Sequence, residues 1–379
     1  MKINYSQRIF GLDVMRAMAI LFVVCSHSLW VFPSQTGSFQ TLLRFAGFLG
    51  VEIFFVLSGF LIGNLLFKLF TAPNFSPKKL GYFLVRRWFR TFPNYYLALI
   101  LNIVIVWYLG RELPETLGRY FFFLQNTTFG MDIFFTESWS LPIEEFAYLL
   151  GPILLYGLLL LKIPFSRKIV FLVITLLVLI FFLGSKIIYQ LNHGETTMDF
   201  WNIHLKAVVL YRVDSIYYGV LAAYLYNVFP KLWERHKTTM FLASIMLFLG
   251  LHLGVTKLSD AVEIGSWMMN VWYLPCCSLS IALSLPFFST WKKTTGWSLK
   301  CITFISLISY SMYLLHYSIV LQLMHYFIGL QEGSWGYQVV FSIGYMTVTV
   351  LCSYLLYRWY EKPLMNLRDH SKVKKWFVI

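Results

Sequence analysis

Apolar residues in this chain come in long blocks, separated by short polar segments rich in Lys and Arg. The blocks fall at about 11–31, 47–68, 91–110, 140–161, 169–188, 206–228, 238–256, 266–289, 302–328 and 336–357. An α-helix rises about 1.5 Å per residue, so roughly 20 apolar residues cross a hydrocarbon core about 30 Å thick. The pattern predicts an all-α membrane protein, a polytopic bundle of about ten transmembrane helices. No polar stretch is long enough for a separate soluble domain, so residues 1–379 read as a single membrane-embedded domain. The stretch 111–139 is apolar but carries Arg119, Gln125, Asn126 and Asp132. It is read as an outside segment, interfacial or partly re-entrant, because a further span there would reverse the charge pattern downstream. No internal repeat is visible.

Composition agrees. The 379 residues are 58% hydrophobic and 13% charged, against about 25% charged in soluble domains. The net charge of +14 lies in clusters between apolar blocks. This is a topology signal and not a nucleic-acid surface. Lys78, Lys79, Arg86, Arg87 and Arg90, then Arg167 and Lys168, then Lys231, Arg235 and Lys237, then Lys292, Lys293 and Lys300 occupy alternate loops. The positive-inside rule then places both termini in the cytoplasm. The first block carries Arg16, is too long for a signal-peptide core and lacks a small-x-small cleavage site, so it reads as a retained span. Cys25, Cys276, Cys277, Cys301 and Cys352 sit in apolar segments without metal spacing, and read as small hydrophobes. No metal site is expected.

The informative residues are the polar ones inside apolar blocks, since an unpaired charge there costs roughly 2.5–3.5 kcal/mol on insertion scales. In "GLDVMRAMAILFVVCSH", Arg16 and His27 are eleven apart. On a helix this is about 20° past three turns, so they share a face about 16 Å apart in depth. Asp13 lies one turn before Arg16 and can pair with it. One face therefore joins an anion-binding end near the cytoplasm to a proton acceptor deeper in the membrane. In the second block Glu52 could meet His27 in depth, and Gly59 and Gly63 form a GxxxG packing face. "KKLGYFLVRRWFRTFPNYY" puts Arg87 and Arg90 three apart at the cytoplasmic mouth of the third, where guanidinium groups suit phosphates. "ESWSLPIEEFAYLL" opens the fourth with Glu144 and Glu145 in the first turn, where carboxylates favour the helix dipole. Arg212 and Asp214, two apart, each need a partner on another helix. His316 reads as a buried histidine bonded to a hydroxyl.

Taken together these segments resemble the acyltransferase-3 family of integral-membrane acyltransferases, which includes O-antigen and other surface-glycan O-acetylases. "GLDVMRAMAILFVVCSH", "GVEIFFVLSGFLI", "RRWFRTFPNYY", "WSLPIEEFAYLL", "YRVDSIYYGVLAA", "SYSMYLLHYSIV" and "YEKPL" follow in the family's order over nearly the whole chain. The resemblance implies a ten-span bundle that moves an acyl group, commonly acetyl, from cytoplasmic acyl-CoA to a hydroxyl at the outer face. Arg16 and His27 match the family's Arg-His pair. Arg87 and Arg90 match its Arg-x-x-Arg element, and Glu145 its more constant acid. Unlike some relatives, the chain is expected to carry no soluble hydrolase-like domain after its last span.

The expected function is therefore a membrane O-acyltransferase. Acyl-CoA, with acetyl-CoA first, is the donor. The acceptor is a surface glycan or lipid-linked sugar, membrane lipids surround the bundle, and no cofactor is permanently bound. His27 is expected as general base or nucleophile, with Glu52 and Glu145 orienting it or the acceptor. Arg16, Arg87 and Arg90 would hold the donor and Asp13 would orient Arg16. The protein is expected in a bacterial cell membrane. A transporter or flippase for an anionic lipid or sugar is the rival reading, and a non-catalytic scaffold the third.

Overall fold

The computed structural model describes residues 8–28, 38–160, 165–193, 197–257, 266–329 and 335–368. The described residues form no strand. Ten main helices follow one another: α1 Phe10–His27, α2 Ser38–Thr71, α3 Pro77–Tyr108, α4 Ser140–Leu160, α5 Arg167–Asn192, α6 Val213–Val228, α7 Lys237–Lys257, α8 Tyr273–Thr290, α9 Trp297–Leu315 and α10 Trp335–Leu356. Eight helical segments among the described residues are long and apolar enough to cross a membrane. The other two expected spans are present as shorter helices, α6 with 16 residues and the apolar Lys237–His252 part of α7. The chain is a polytopic all-α membrane protein.

The expected span at 206–228 is broken, and the break has a visible cause. Val208 is extended, and a π-helical turn Asn202–Lys206 and a 3-10 turn Val209–Tyr211 precede α6. Backbone groups freed by such a break must find partners inside the protein. The 111–139 stretch supplies them: Val209 N donates to Asn126 O at 2.9 Å, Leu210 N donates to Thr127 O at 3.0 Å, and the Asn126 amide donates to Ala207 O. That stretch is no span. It holds a four-residue helix, Leu117–Tyr120, and turns whose Tyr120, Phe123, Gln125, Asn126 and Phe135 are buried.

Helix α2 packs most extensively against α6 and α1. Its GxxxG face does what the spacing predicts. Gly59 lies against the Ile216 carbonyl and Gly219 of α6, and Gly63 lies against Val220 and Ala223. Buried charges then tie helices together. Glu52 of α2 pairs with Arg212 at the start of α6, and Ser278 of α8 donates to its other oxygen at 3.1 Å. Lys186 of α5 pairs with Asp214. Arg212 and Lys186 have no exposed surface. Breaking such a pair from one side costs about 3–5 kcal/mol, since it strands a charge. Arg212 and Asp214 thus meet different helices, as their two-residue spacing demands.

The α2–α6 seam yields a stability test. A Cβ at Gly59 or Gly219 would run into a backbone carbonyl of the facing helix, whereas one at Gly184 meets nothing within 4 Å. Gly59→Ala and Gly219→Ala should each destabilise by about 1–3 kcal/mol or more through overpacking, lowering the melting temperature of the detergent-purified protein. Gly184→Ala should leave it unchanged or slightly raised. Equal melting for all three would show that the seam yields freely.

Candidate active site

Helix α1 carries its polar residues along the side that meets α9. Near its start Asp13 is buried. Arg8 clamps it through two nitrogens, Nε at 2.7 Å to Oδ2 and Nη2 to Oδ1. Ser306 of α9 donates to Oδ1 at 2.7 Å. Arg16 reaches the same oxygen at 3.4 Å and the Ser306 hydroxyl at 3.2 Å. Asp13 therefore pairs with Arg16, but its closest partner is Arg8, whose part the spacing on α1 did not suggest.

Three turns further on, His27 meets the extension of α9. There the chain leaves α-helical geometry for a π-helical segment, His316–Leu321. His316 Nε2 stands 3.2 Å from His27 Nδ1, with the two rings edge-on at 4.7 Å. Tyr317 also packs against His27, ring to ring at 4.6 Å. His316 was expected to bond a hydroxyl away from the α1 polar face. It bonds instead to the Tyr313 carbonyl, at 2.8 Å from Nδ1, and to His27. The widened π turn is the reason, because an α-helical pattern does not announce it.

Beside Arg16 lies a cavity that reaches Tyr313 of α9. Arg16, Arg87 and Arg90 all line it, so the three guanidinium groups expected to act together do converge. Among the described residues, no carboxylate forms an ion pair with Arg87 or Arg90. Arg87 leans over the Phe83 ring at 5.9 Å. The lining also includes Ser58, Ser140, Glu144, Tyr148 and Tyr313. Tyr313 belongs to two places. It lines the cavity, donates to Glu137 O at 2.8 Å, bonds Ser140 Oγ at 2.7 Å, and its ring lies 5.9 Å from that of His316.

The acid pair differs from expectation. Helix α4 begins at Ser140, after a 3-10 turn Thr136–Trp139, and no acid lies in its first turn. Glu144 and Glu145 stand in the second turn, so the dipole-capping explanation falls away. Neighbours on a helix point about 100° apart. Glu144 faces the cavity, taking bonds from Ser58 at 3.1 Å and Tyr148 at 2.7 Å. Glu145 turns to α3 and accepts from Thr91 at 2.8 Å. Glu144, and not Glu145, is the carboxylate on the cavity wall. Glu52 is likewise away from its expected partner. Both its oxygens are taken by Arg212 and Ser278, and it makes no hydrogen bond to His27.

Two further groups escaped the sequence. Glu137 is buried, with Oε1 held by the backbone N of Ser318 at 3.1 Å and its hydroxyl at 2.6 Å, which pins the π segment beside His316. Lys206, outside the long helices, lies with its ammonium 5.6 Å over Trp139. Burial, with Arg212 adding repulsion against a smaller opposing pull from Glu52, lowers its pKa to about 8. One signal was available. Ser306, Ser309, Tyr310, Tyr313 and His316 recur at three- and four-residue spacing, a polar stripe on a single helix face.

Residues 9–358 match the model of the acyltransferase-3 family, described as an acyltransferase domain. An O-acetyltransferase of Staphylococcus aureus (strain COL), provisionally so named, is 26% identical over 97% of this chain and 58% of its own length. The chain thus spans a little over half of that relative. A provisionally named peptidoglycan O-acetyltransferase, YrhL of Bacillus subtilis (strain 168), is 31% identical over 50% of this chain and 30% of its own. The peptidoglycan O-acetyltransferase OatA of Listeria monocytogenes is 28% identical over 39% of this chain and 24% of its own. No solved structure matches. With the match running through both ends of the polar face and the cavity, the chain belongs to the acyltransferase-3 family.

Proposed function

We propose that the protein moves an acetyl group from cytoplasmic acetyl-CoA to a hydroxyl of a cell-surface glycan, peptidoglycan first among them, in a bacterial cell membrane. The observation that carries this reading is the convergence of Arg16, Arg87 and Arg90 on one cavity, with His27 further along the α1 face that bears Arg16. Acyl-CoA is a polyphosphate with a long thin arm ending in a thioester. Guanidinium forks suit the phosphates, and the arm would run toward His27. Peptidoglycan is favoured as acceptor because OatA and YrhL bear names that say they act on it.

In this reading His27 is the base. Its Nδ1 lies 2.9 Å from the Val23 carbonyl, which only accepts, so Nδ1 holds the proton and Nε2 keeps the lone pair. Nε2 takes the proton of the acceptor hydroxyl as that oxygen attacks the thioester carbonyl. The C–S bond then breaks, and the imidazolium returns the proton to the departing CoA sulfur. The products are the acetyl ester and free CoA. Asp13 and Ser306 hold Arg16, and Glu144 with Tyr148 lines the same cavity as the arginines. Glu52 and Glu145 serve the bundle through Arg212 and Thr91, respectively, and not the reaction.

Three outcomes test the proposal. His27→Ala should insert and fold normally yet lose surface O-acetylation by at least the factor of about 10²–10⁴ that a general base supplies. Near-normal acetylation per folded protein would sink the catalytic reading. Arg90→Ala should raise the KM for acetyl-CoA in CoA-release assays, and Arg90→Lys should recover only part, lacking the bidentate fork. A double Arg87→Ala, Arg90→Ala variant that binds acetyl-CoA as tightly as wild type would leave these residues as topology signals. For the arrangement in the membrane, reporter fusions at Lys78, Lys237 and after Ile379 should score cytoplasmic and one at His193 external. An external C-terminal fusion would show that the expected count of ten spans is wrong.

A further inference from the structure

We propose that His316 is a positioning residue for His27, serving where many hydrolases and transferases place a carboxylate; this rests on His27 being the base. The argument is a count of protons. His316 Nδ1 lies 2.8 Å from the Tyr313 carbonyl. A carbonyl only accepts, so that nitrogen bears the hydrogen, and in a neutral ring Nε2 is then an acceptor. This acceptor faces His27 Nδ1 at 3.2 Å. His27 Nδ1 holds its hydrogen already, for the Val23 carbonyl. One N–H is thus offered three acceptors: the Val23 carbonyl one turn back, the His316 lone pair, and at 3.4 Å the Ser26 hydroxyl oxygen, whose own hydrogen goes to Val23 O at 2.8 Å. The tautomer is fixed, with the free lone pair of His27 on Nε2.

The arrangement also serves the proton transfer. When His27 takes the acceptor proton on Nε2, both its nitrogens carry hydrogen and the ring is cationic. The Nδ1–H then becomes a stronger donor, and its bonds to Val23 O and His316 Nε2 become charge-assisted. His316 so favours the imidazolium without holding a charge itself. When the proton passes to the CoA sulfur, the pair returns to its neutral form. His316 can do this because it is held on its far side. The π-helical segment that starts at His316 moves it out of α-helical register. Glu137 anchors that segment through both the backbone N and the hydroxyl of Ser318. A single π turn inside an apolar helix often marks a functional site, and here it aligns two imidazoles.

The other groups around His27 do not supply the same contact. Ser26 Oγ stands 3.4 Å from Nδ1 but gives its hydrogen to Val23 O, Tyr317 meets the ring by packing, Lys206 carries its charge over Trp139, and Tyr345 of α10 reaches only the Val24 carbonyl. Helix α2 presents Gly47 beside Ser26, and its one acid, Glu52, is bound to Arg212. No carboxylate among the described residues forms an ion pair with His27.

The test uses the full chain in lipid nanodiscs, with acetyl-CoA and soluble muropeptides as substrates and free CoA as the readout. His316→Phe keeps the ring's bulk and removes the acceptor. Its kcat should fall by about 10²-fold, within the range of acid–base contributions, while the KM for acetyl-CoA stays within about twofold of wild type. The acid limb of its kcat/KM profile should move to lower pH, because an imidazolium that loses an acceptor gives up its proton more readily. In His316→Gln the side-chain oxygen reaches the place of Nε2, so kcat should stay within about tenfold of wild type. A wild-type kcat and acid limb in His316→Phe, or an equal loss in Gln and Phe, would overturn the role. Nitrogen-15 spectra of the wild-type protein add a readout independent of turnover. Both histidines should show the Nδ1–H tautomer, and the opposite tautomer at either ring would overturn the assignment. His27→Ala separates the two levels of the argument. If it retains transfer, the proposed function fails. If it is inactive while His316→Phe matches wild type, only the positioning role fails.

Discussion

A charge carried into an apolar helix bundle must be paired or wetted, and this constraint organises the whole molecule. The bundle meets it in two ways. Glu52 with Arg212, Lys186 with Asp214 and Asp13 with Arg8 are closed pairs between or beside helices. Arg16, Arg87 and Arg90 are handled differently: they share a cavity whose lining carries one carboxylate, Glu144, in no ion pair with them among the described residues, and Asp13 reaches only Arg16, at 3.4 Å. Closed pairs hold helices in register and leave nothing for a ligand. Three guanidinium groups at one cavity repel one another, and that repulsion is relieved when an anion enters. In the proposed function, the division between the two kinds of charge follows from who supplies the counter-charge, the protein or its substrate.

The closed pairs explain why the open cavity can exist. Helix α6 is held to α2 by carbonyl-to-glycine contacts and by Glu52–Arg212, and to α5 by Asp214–Lys186. These attachments fix α2, whose Ser58 and Phe54 form one wall of the cavity. The break before α6, capped by the Asn126 and Thr127 carbonyls, shortens that helix and keeps Arg212 level with Glu52. The irregular segment 111–139 is therefore a support for the bundle, with its buried amides satisfying backbone that a continuous helix would have satisfied alone.

Much of this was legible in the sequence, and the limits have physical causes. Helical periodicity is rigid over a few turns, so the shared face of Arg16 and His27, the pairing of Arg87 with Arg90 and the small face at Gly59 and Gly63 could all be read from spacing. The family resemblance, carried by seven ordered segments, was likewise sound. Spacing on one helix, however, says nothing about which helix lies opposite. Glu52 was assigned toward His27 by depth alone, and the structure gives it to Arg212. Glu145 was preferred to Glu144 through the resemblance, and a 3-10 turn before Ser140 shifts both acids into the second helical turn, where only Glu144 looks into the cavity. His316 lay beyond reach for a related reason. Its contact with His27 depends on a π turn, a local change of helical pitch with no signature in the pattern of apolar positions.

Tyr313 shows how the two ends of the polar face are joined. Its hydroxyl is held by the Glu137 carbonyl and Ser140, so the ring is fixed between the cavity and His316. Glu137 in turn grips Ser318 within the π turn. One short segment, Thr136–Ser140, therefore positions the cavity wall through Ser140 and the histidine pair through Glu137. That coupling gives the 3-10 turn its place in the fold. A regular helix start at Thr136 would rotate Ser140 and Glu137 relative to each other, and either the wall or the imidazoles would lose their support. The cavity and the histidine pair stay aligned because they are braced from the same five residues.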